Sequence, residues 1–90
     1  MWTATVTLKI VRLSENGNTR LRLAGELRSG DIEMVRTEIE KTSPRLVLDV
    51  AEIGVVDIDG VRWLNACQTT GVKVENCAPY IREWMRQERS

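Results

Sequence analysis

Ninety residues with 13 basic and 13 acidic side chains, no histidine and two cysteines describe one domain spanning 1–90, able to bury about 60 to 65% of the surface its unfolded chain exposes without a metal or disulfide staple. The cancelled charge gives no electrostatic case for nucleic acid as a partner. No apolar run reaches the roughly 18 residues of a membrane span, so no direct membrane insertion is expected, and the start Met1-Trp2-Thr3-Ala4-Thr5 lacks the basic and apolar regions of a signal peptide, which points to a cytoplasmic location.

Trp2, Ala4, Val6, Leu8 and Ile10 alternate with Thr3, Thr5, Thr7 and Lys9, a period of two that predicts a half-buried strand. Ser14-Glu15-Asn16-Gly17-Asn18 supplies a turn with an Asn-Gly step, and Thr19 to Ala24 alternates again. An antiparallel hairpin whose second strand ends at Gly25 is expected. Arg20 and Arg22 share one face of that strand and read as solvating and protecting it. Ile32, Val35 and Ile39 then recur at helical steps, with Ser29 or Asp31 to cap the start and Ser43-Pro44 to stop the helix. Arg45 to Val50 barely alternates, the pattern of a central parallel strand covered on both sides.

Ala51 to Asp57 reads as a short connection with an apolar middle, Ile53, Val55 and Val56, that extends the sheet edge or packs beneath the next helix, and its tip presents Asp57 and Asp59. Val61, Leu64 and Cys67 give the next helix a buried face, and Gly71 terminates it. Val72 to Asn76 is a short fourth strand. Pro79 opens a last helix whose Ile81, Trp84 and Met85 pack on the sheet, while Arg86 to Ser90 is expected to fray. The expected fold class is α/β: a mixed sheet of about four strands, an N-terminal antiparallel hairpin followed by parallel strands joined by right-handed crossovers, covered by three helices.

Asp57-Ile58-Asp59-Gly60 falls where a strand passes through a loop into a helix, and the unpaired N–H groups of a first helical turn favour an acidic group or a phosphate. Asp59 is a good N-cap, Asp57 is placed to bond loop N–H groups, and Gly60 serves backbone clearance. Two carboxylates supply too few oxygens for a cation, so neither metal nor cofactor is expected. Trp63 lies off the Val61–Leu64–Cys67 stripe, partly exposed, where a large ring can anchor an interface. Cys67 and Cys77 read as packed thiols with no histidine to activate them. No spacing assembles a nucleophile, a base and an oxyanion site, so no catalytic residue and no enzyme activity is expected.

The run Leu48-Asp49-Val50-Ala51-Glu52-Ile53-Gly54-Val55-Val56-Asp57-Ile58-Asp59-Gly60-Val61 resembles the segment of the STAS domain family in which a strand ends in Asp and a spacer with an apolar pair leads to Asp-Ser-Ser-Gly-Leu. Gly25-Glu26-Leu27 and Ala78-Pro79-Tyr80-Ile81 match further family positions, and the resemblance covers almost the whole chain. It implies a small STAS-like sandwich and a non-enzymatic role like that of bacterial anti-sigma factor antagonists, which act in transcription regulation. In those antagonists the second serine is phosphorylated by a partner that is both an anti-sigma factor and a serine kinase. Here Asp59 holds that phosphoacceptor position and Ile58 replaces the first serine, so the loop has no hydroxyl. The Asp59 carboxylate imitates a phosphate in part, with one charge instead of nearly two. By resemblance, Asp57, Ile58, Asp59, Gly60 and Trp63 form the surface for a kinase-like anti-sigma factor, on a chain that is a monomer or weak homodimer. Two other roles stay open: an accessory subunit of an ABC-type lipid transporter, and a nucleotide-sensing STAS module, although the chain lacks a Gly-rich phosphate loop.

Overall fold

The computed structural model describes residues 8–42 and 45–89; the expected strand positions from Trp2 to Thr7, the Ser43-Pro44 stop and Ser90 lie outside the described residues. Strands β1 (Leu8–Glu15) and β2 (Asn18–Leu27) form an antiparallel hairpin in one unbroken register, from Leu8 opposite Gly25 to Glu15 opposite Asn18. Asn16 and Gly17 alone make the turn, at φ 49° and 82°. Positive φ at both central residues is what a two-residue turn between right-twisted strands needs, and Asn-Gly meets it at least cost. β2 does not end at Gly25: it passes through that residue at φ 111°, a backbone state glycine adopts freely, and continues to Leu27.

A 3₁₀ turn, Ser29–Asp31, leads into helix α1 (Ile32–Glu40). The Asp31 carboxylate accepts the Arg28 N–H at 3.2 Å, so it closes the 3₁₀ turn instead of capping α1, and Ser29 contributes no side-chain cap either. Strand β3 (Leu46–Val56), helix α2 (Ile58–Thr69), strand β4 (Lys73–Glu75) and helix α3 (Pro79–Arg89) complete the chain. β3 runs parallel to β2, β4 runs parallel to β3, and the order across the sheet is β1-β2-β3-β4. The fold is therefore the expected α/β arrangement of a four-stranded mixed sheet with three helices. Gly71, at φ 96° just past α2, ends that helix as expected. α3 stays helical to Arg89 instead of fraying after Met85, because its last turns are tied to α2. Glu88 accepts Arg62 Nε at 3.1 Å, and Arg89 donates to the side chains of Asn65 and Gln68.

β3, at 11 residues, is nearly twice as long as the expected strand from Arg45 to Val50. Arg22 pairs with Asp49 but Ala24 with Glu52, and Gly25 pairs with Ile53 but Glu26 with Val55. Each jump inserts one extra residue into β3, a β-bulge. The two bulges change the spacing of core-facing residues from two to three, so Leu46, Leu48, Val50, Ile53 and Val56 are all buried while Ala51, Glu52, Gly54 and Val55 are exposed. Of the two readings of this segment, extension of the sheet is the one that holds, as the second half of a central strand and not as a separate connection.

The core lies between one face of the sheet and the helices. Leu21, Leu23, Leu48 and Val50 from the strands meet Val35 of α1, Val61 and Leu64 of α2, and Ile81 and Met85 of α3, all buried. Each such side chain contributes about 1.5 to 3 kcal/mol by leaving water. Trp63 and Trp84 are half-buried and pack against this cluster.

The opposite face carries the alternate residues Val11, Leu13, Arg20, Arg22, Val47, Asp49, Lys73 and Glu75, so β3 is not apolar on both sides. Arg20 does more than solvate its strand: Nε meets Glu15 Oε1 of β1 at 3.1 Å, Nη1 meets Asp49 Oδ2 of β3 at 3.0 Å, and Nη2 meets Glu75 Oε1 of β4 at 3.0 Å. One guanidinium on β2 thus touches the other three strands, which its fork of five donors allows and a lysine's point charge does not. Asp49 is the one buried charged residue among the described residues. Its Oδ1 accepts the Ala51 N–H at 3.0 Å, at the first bulge, and the Asn76 amide at 3.2 Å. Burial alone pushes the Asp49 carboxyl up, but the Ala51, Asn76 and Arg20 donors together hold it below its ordinary value.

Candidate functional site

The loop that follows β3 is built around Asp57. This residue has extended backbone, φ −103° and ψ 180°, and its Oδ1 accepts the Gly60 N–H at 2.8 Å. Asp57 is therefore the N-cap, and α2 begins at Ile58, three residues before Val61. Asp59 does not cap the helix; it stands exposed in the first turn and makes no hydrogen bond or ion pair among the described residues. The reason is positional. A cap side chain bonds the N–H three residues on, and only Asp57 also reaches a second donor, the Ser29 N–H, at 2.9 Å through Oδ2.

That second bond joins the start of α2 to the 3₁₀ turn after β2. The Asp57 N–H donates to the Leu27 carbonyl at 3.3 Å, and Gly60 sits so close to the same strand end that an added Cβ would stand 2.6 Å from the Leu27 carbonyl oxygen. Gly60 is buried and serves backbone clearance, as its place in the sequence suggests. Desolvation pushes the Asp57 carboxyl up, but the Ser29 and Gly60 N–H groups, helped by the Arg28 charge, hold it below its ordinary value. Asp57→Ala removes both acceptors and should cost about 1 to 2 kcal/mol in urea denaturation, with Asp57→Asn losing less because its amide oxygen keeps one of the two bonds. The carboxyl titrates lower folded than unfolded. Its stabilisation is therefore complete above the unfolded value and disappears as pH falls through the folded one, so the gap between wild type and Asp57→Asn should close on acidification.

Of the five residues expected at the surface, Asp57 and Gly60 are thus scaffold. Ile58 and Asp59 are presented to solvent, Ile58 at 39% exposure. Trp63 lies one turn on and spends part of its ring on the core. Two further residues join this corner. Val55, on the second bulge, is 43% exposed, and Tyr80 of α3 is 53% exposed with its hydroxyl donating to the Gly54 carbonyl. Val55, Ile58 and Tyr80 are three of the four large exposed apolar side chains among the described residues, and all three flank the end of β3. Tyr80 is legible as a residue off the Ile81–Trp84–Met85 stripe; Val55 has no such signal because the bulge that turns it outward is invisible to alternation.

Neither thiol is set up for nucleophilic chemistry. Burial pushes the Cys67 thiol up to about 11 and raises Cys77 as well, leaving almost no thiolate at neutral pH. Among the described residues no group of three or more Cys, Asp or Glu is placed to hold a metal ion, and no helix is long and apolar enough to cross a membrane. No protein-family model matches the chain, and no curated protein matches it.

Proposed function

We propose that the chain is a non-enzymatic protein-interaction module of the STAS type, acting in the cytoplasm like an anti-sigma factor antagonist, with Ile58 and Asp59 at the centre of its docking surface and Asp59 in the phosphoacceptor position. The observation that carries this reading is the corner at the end of β3. Val55, Ile58 and Tyr80 are exposed where β3 ends, and the loop that follows, held by Asp57 and Gly60, presents the Asp59 carboxylate without an internal partner among the described residues. Exposed apolar side chains near an unspent charge suit a protein partner, to which they offer anchors. A rigid loop also lowers the ordering cost of binding. The order of elements agrees with what the resemblance of Leu48 to Val61 implies, and Asp59 then imitates the phosphorylated state with part of its charge.

The test is affinity capture from a lysate of the source organism with wild type, Ile58→Asp and Asp59→Arg. A kinase-like anti-sigma factor held by wild type and lost by both variants supports the reading. Purified, that partner should transfer phosphate to Asp59→Ser and not to wild type. Capture of an ATPase with membrane subunits assigns the chain to a transport complex instead, and a partner held equally by all three places the interface elsewhere.

A further inference from the structure

The two edges of the sheet are unequal. β4 is three residues long, whereas β1 has eight residues in continuous register with no proline and no bulge. Among the described residues no strand pairs with the outer side of β1, and an edge of that length and regularity is a template for another strand. The two-residue turn makes Glu15 and Asn18 a hydrogen-bonded closing pair, so Leu13, Val11 and Lys9 also bond toward β2, and Ser14, Arg12, Ile10 and Leu8 turn their N–H and C=O groups to the outside.

We propose that this edge pairs with the same edge of a second copy of the chain, antiparallel about a two-fold axis at Arg12, joining the two sheets into one of eight strands. A two-fold ladder must set outward-facing residue against outward-facing residue, and two registers then use seven residues of each β1. Centring on Val11 sets each Lys9 against Leu13 of the other copy. Centring on Arg12 sets Lys9 against Glu15 at both ends and Val11 against Leu13 twice, all on the face away from the helices. Unlike charges and apolar pairs coincide only in the second register, which charge complementarity therefore selects.

Two Arg12 side chains meet at the axis without a net charge, because each is held by Glu38 of its own α1, Nη2 to Oε1 at 2.8 Å. Lys9 makes no ion pair among the described residues and can share the other copy's Glu15 with Arg20, which is bonded to Oε1. The axis also brings together two open grooves of about 320 Å³, each lined by Leu8, Ile10, Arg12, Met34 and Glu38. Met34, the fourth large exposed apolar residue at 45% exposure, then has an apolar neighbour in the other copy's groove. The edge dimer leaves the end of β3 uncovered, so it is independent of the function proposed above.

Sedimentation velocity of the full chain from about 10 μM to about 1 mM at low salt tests this, the range in which an edge contact of this size is expected to associate. Wild type should dimerise reversibly. Lys9→Glu and Glu15→Lys should each weaken the dimer about tenfold, and mixing the two variants should restore it, because the mixed pair again opposes unlike charges at both ends. Ser14→Pro, which deletes an outward N–H and leaves the β1–β2 ladder intact, should weaken it as well. A wild-type monomer throughout the range overturns the proposal. So does a dimer indifferent to these changes, or one weakened by the single reversals and not restored on mixing.

Discussion

Asp49→Ala should destabilise the domain by about 3 kcal/mol, measured as a fall in the urea midpoint at constant slope. The carboxylate is buried and accepts from Arg20, the Ala51 N–H and the Asn76 amide. Its removal leaves a bulge N–H and a guanidinium arm without their acceptor at a position that is itself only 3% exposed. The loss is distinct from that of an ordinary surface ion pair, which is worth under about 1 kcal/mol. Arg20→Met should weaken the domain less, since Asp49 keeps two donors, and the double substitution should cost less than the sum of the singles, because the two groups act on each other. Additivity of the two would show that Asp49 works through Ala51 and Asn76 alone. The pH dependence has a defined sign. Asp49 is held below its ordinary value when folded, so its contribution is present above the unfolded carboxyl value and is lost as pH falls through the folded one.

Gly60→Ala should cost about 2 to 3 kcal/mol and also disturb the candidate docking surface. A methyl group in place of hydrogen would lie 2.6 Å from the Leu27 carbonyl oxygen, and that neighbour is backbone, which cannot swing aside as a side chain can. Relief requires α2 to back away from the end of β2. That motion stretches both Asp57 bonds and carries Ile58 and Asp59 with it. The variant should therefore lose partner binding beyond what Asp57→Ala loses, and its amide exchange should rise at Ser29, Gly60 and Val61 together. A Gly60→Ala protein with wild-type stability would mean that the close approach to Leu27 is not a constraint.

The parts of this fold that follow from neighbours in sequence are legible in it. Asn16-Gly17 can make only a tight turn of one hand, and Val61, Leu64 and Cys67 mark the buried face of α2 by spacing alone. What is not legible depends on partners far along the chain. Whether Asp57 or Asp59 caps α2 is decided by a bond to Ser29, 28 residues away. Arg20 and Arg22 look alike on one strand face, yet only Arg20 lines up with acids on three other strands. Alternation fails in β3 because the bulges shift its phase twice, and the same shift hides Val55. The candidate site is thus half readable: its position follows from the strand, loop and helix pattern, while the division into Asp57 and Gly60 as scaffold and Ile58 and Asp59 as surface needs the tertiary contacts.

The two bulges of β3 also decide where the chain tolerates a change in length. From Thr19 to Leu27, β2 spends nine residues where β3 spends eleven, from Leu46 to Val56, and the surplus pair is Ala51 and Gly54. Omitting both leaves Leu46, Leu48, Val50, Ile53 and Val56 at strict alternation with the same side toward the core. Omitting either one alone removes only its own bulge, and the other still delivers Val56 to the core side, because each shift opposes two β3 residues to one of β2 and compensates itself. The bulges are therefore the two places where this strand can change length by a single residue, whereas a residue removed from the unbulged run Leu46 to Val50 slips the alternation and sends the residues before it to the opposite face.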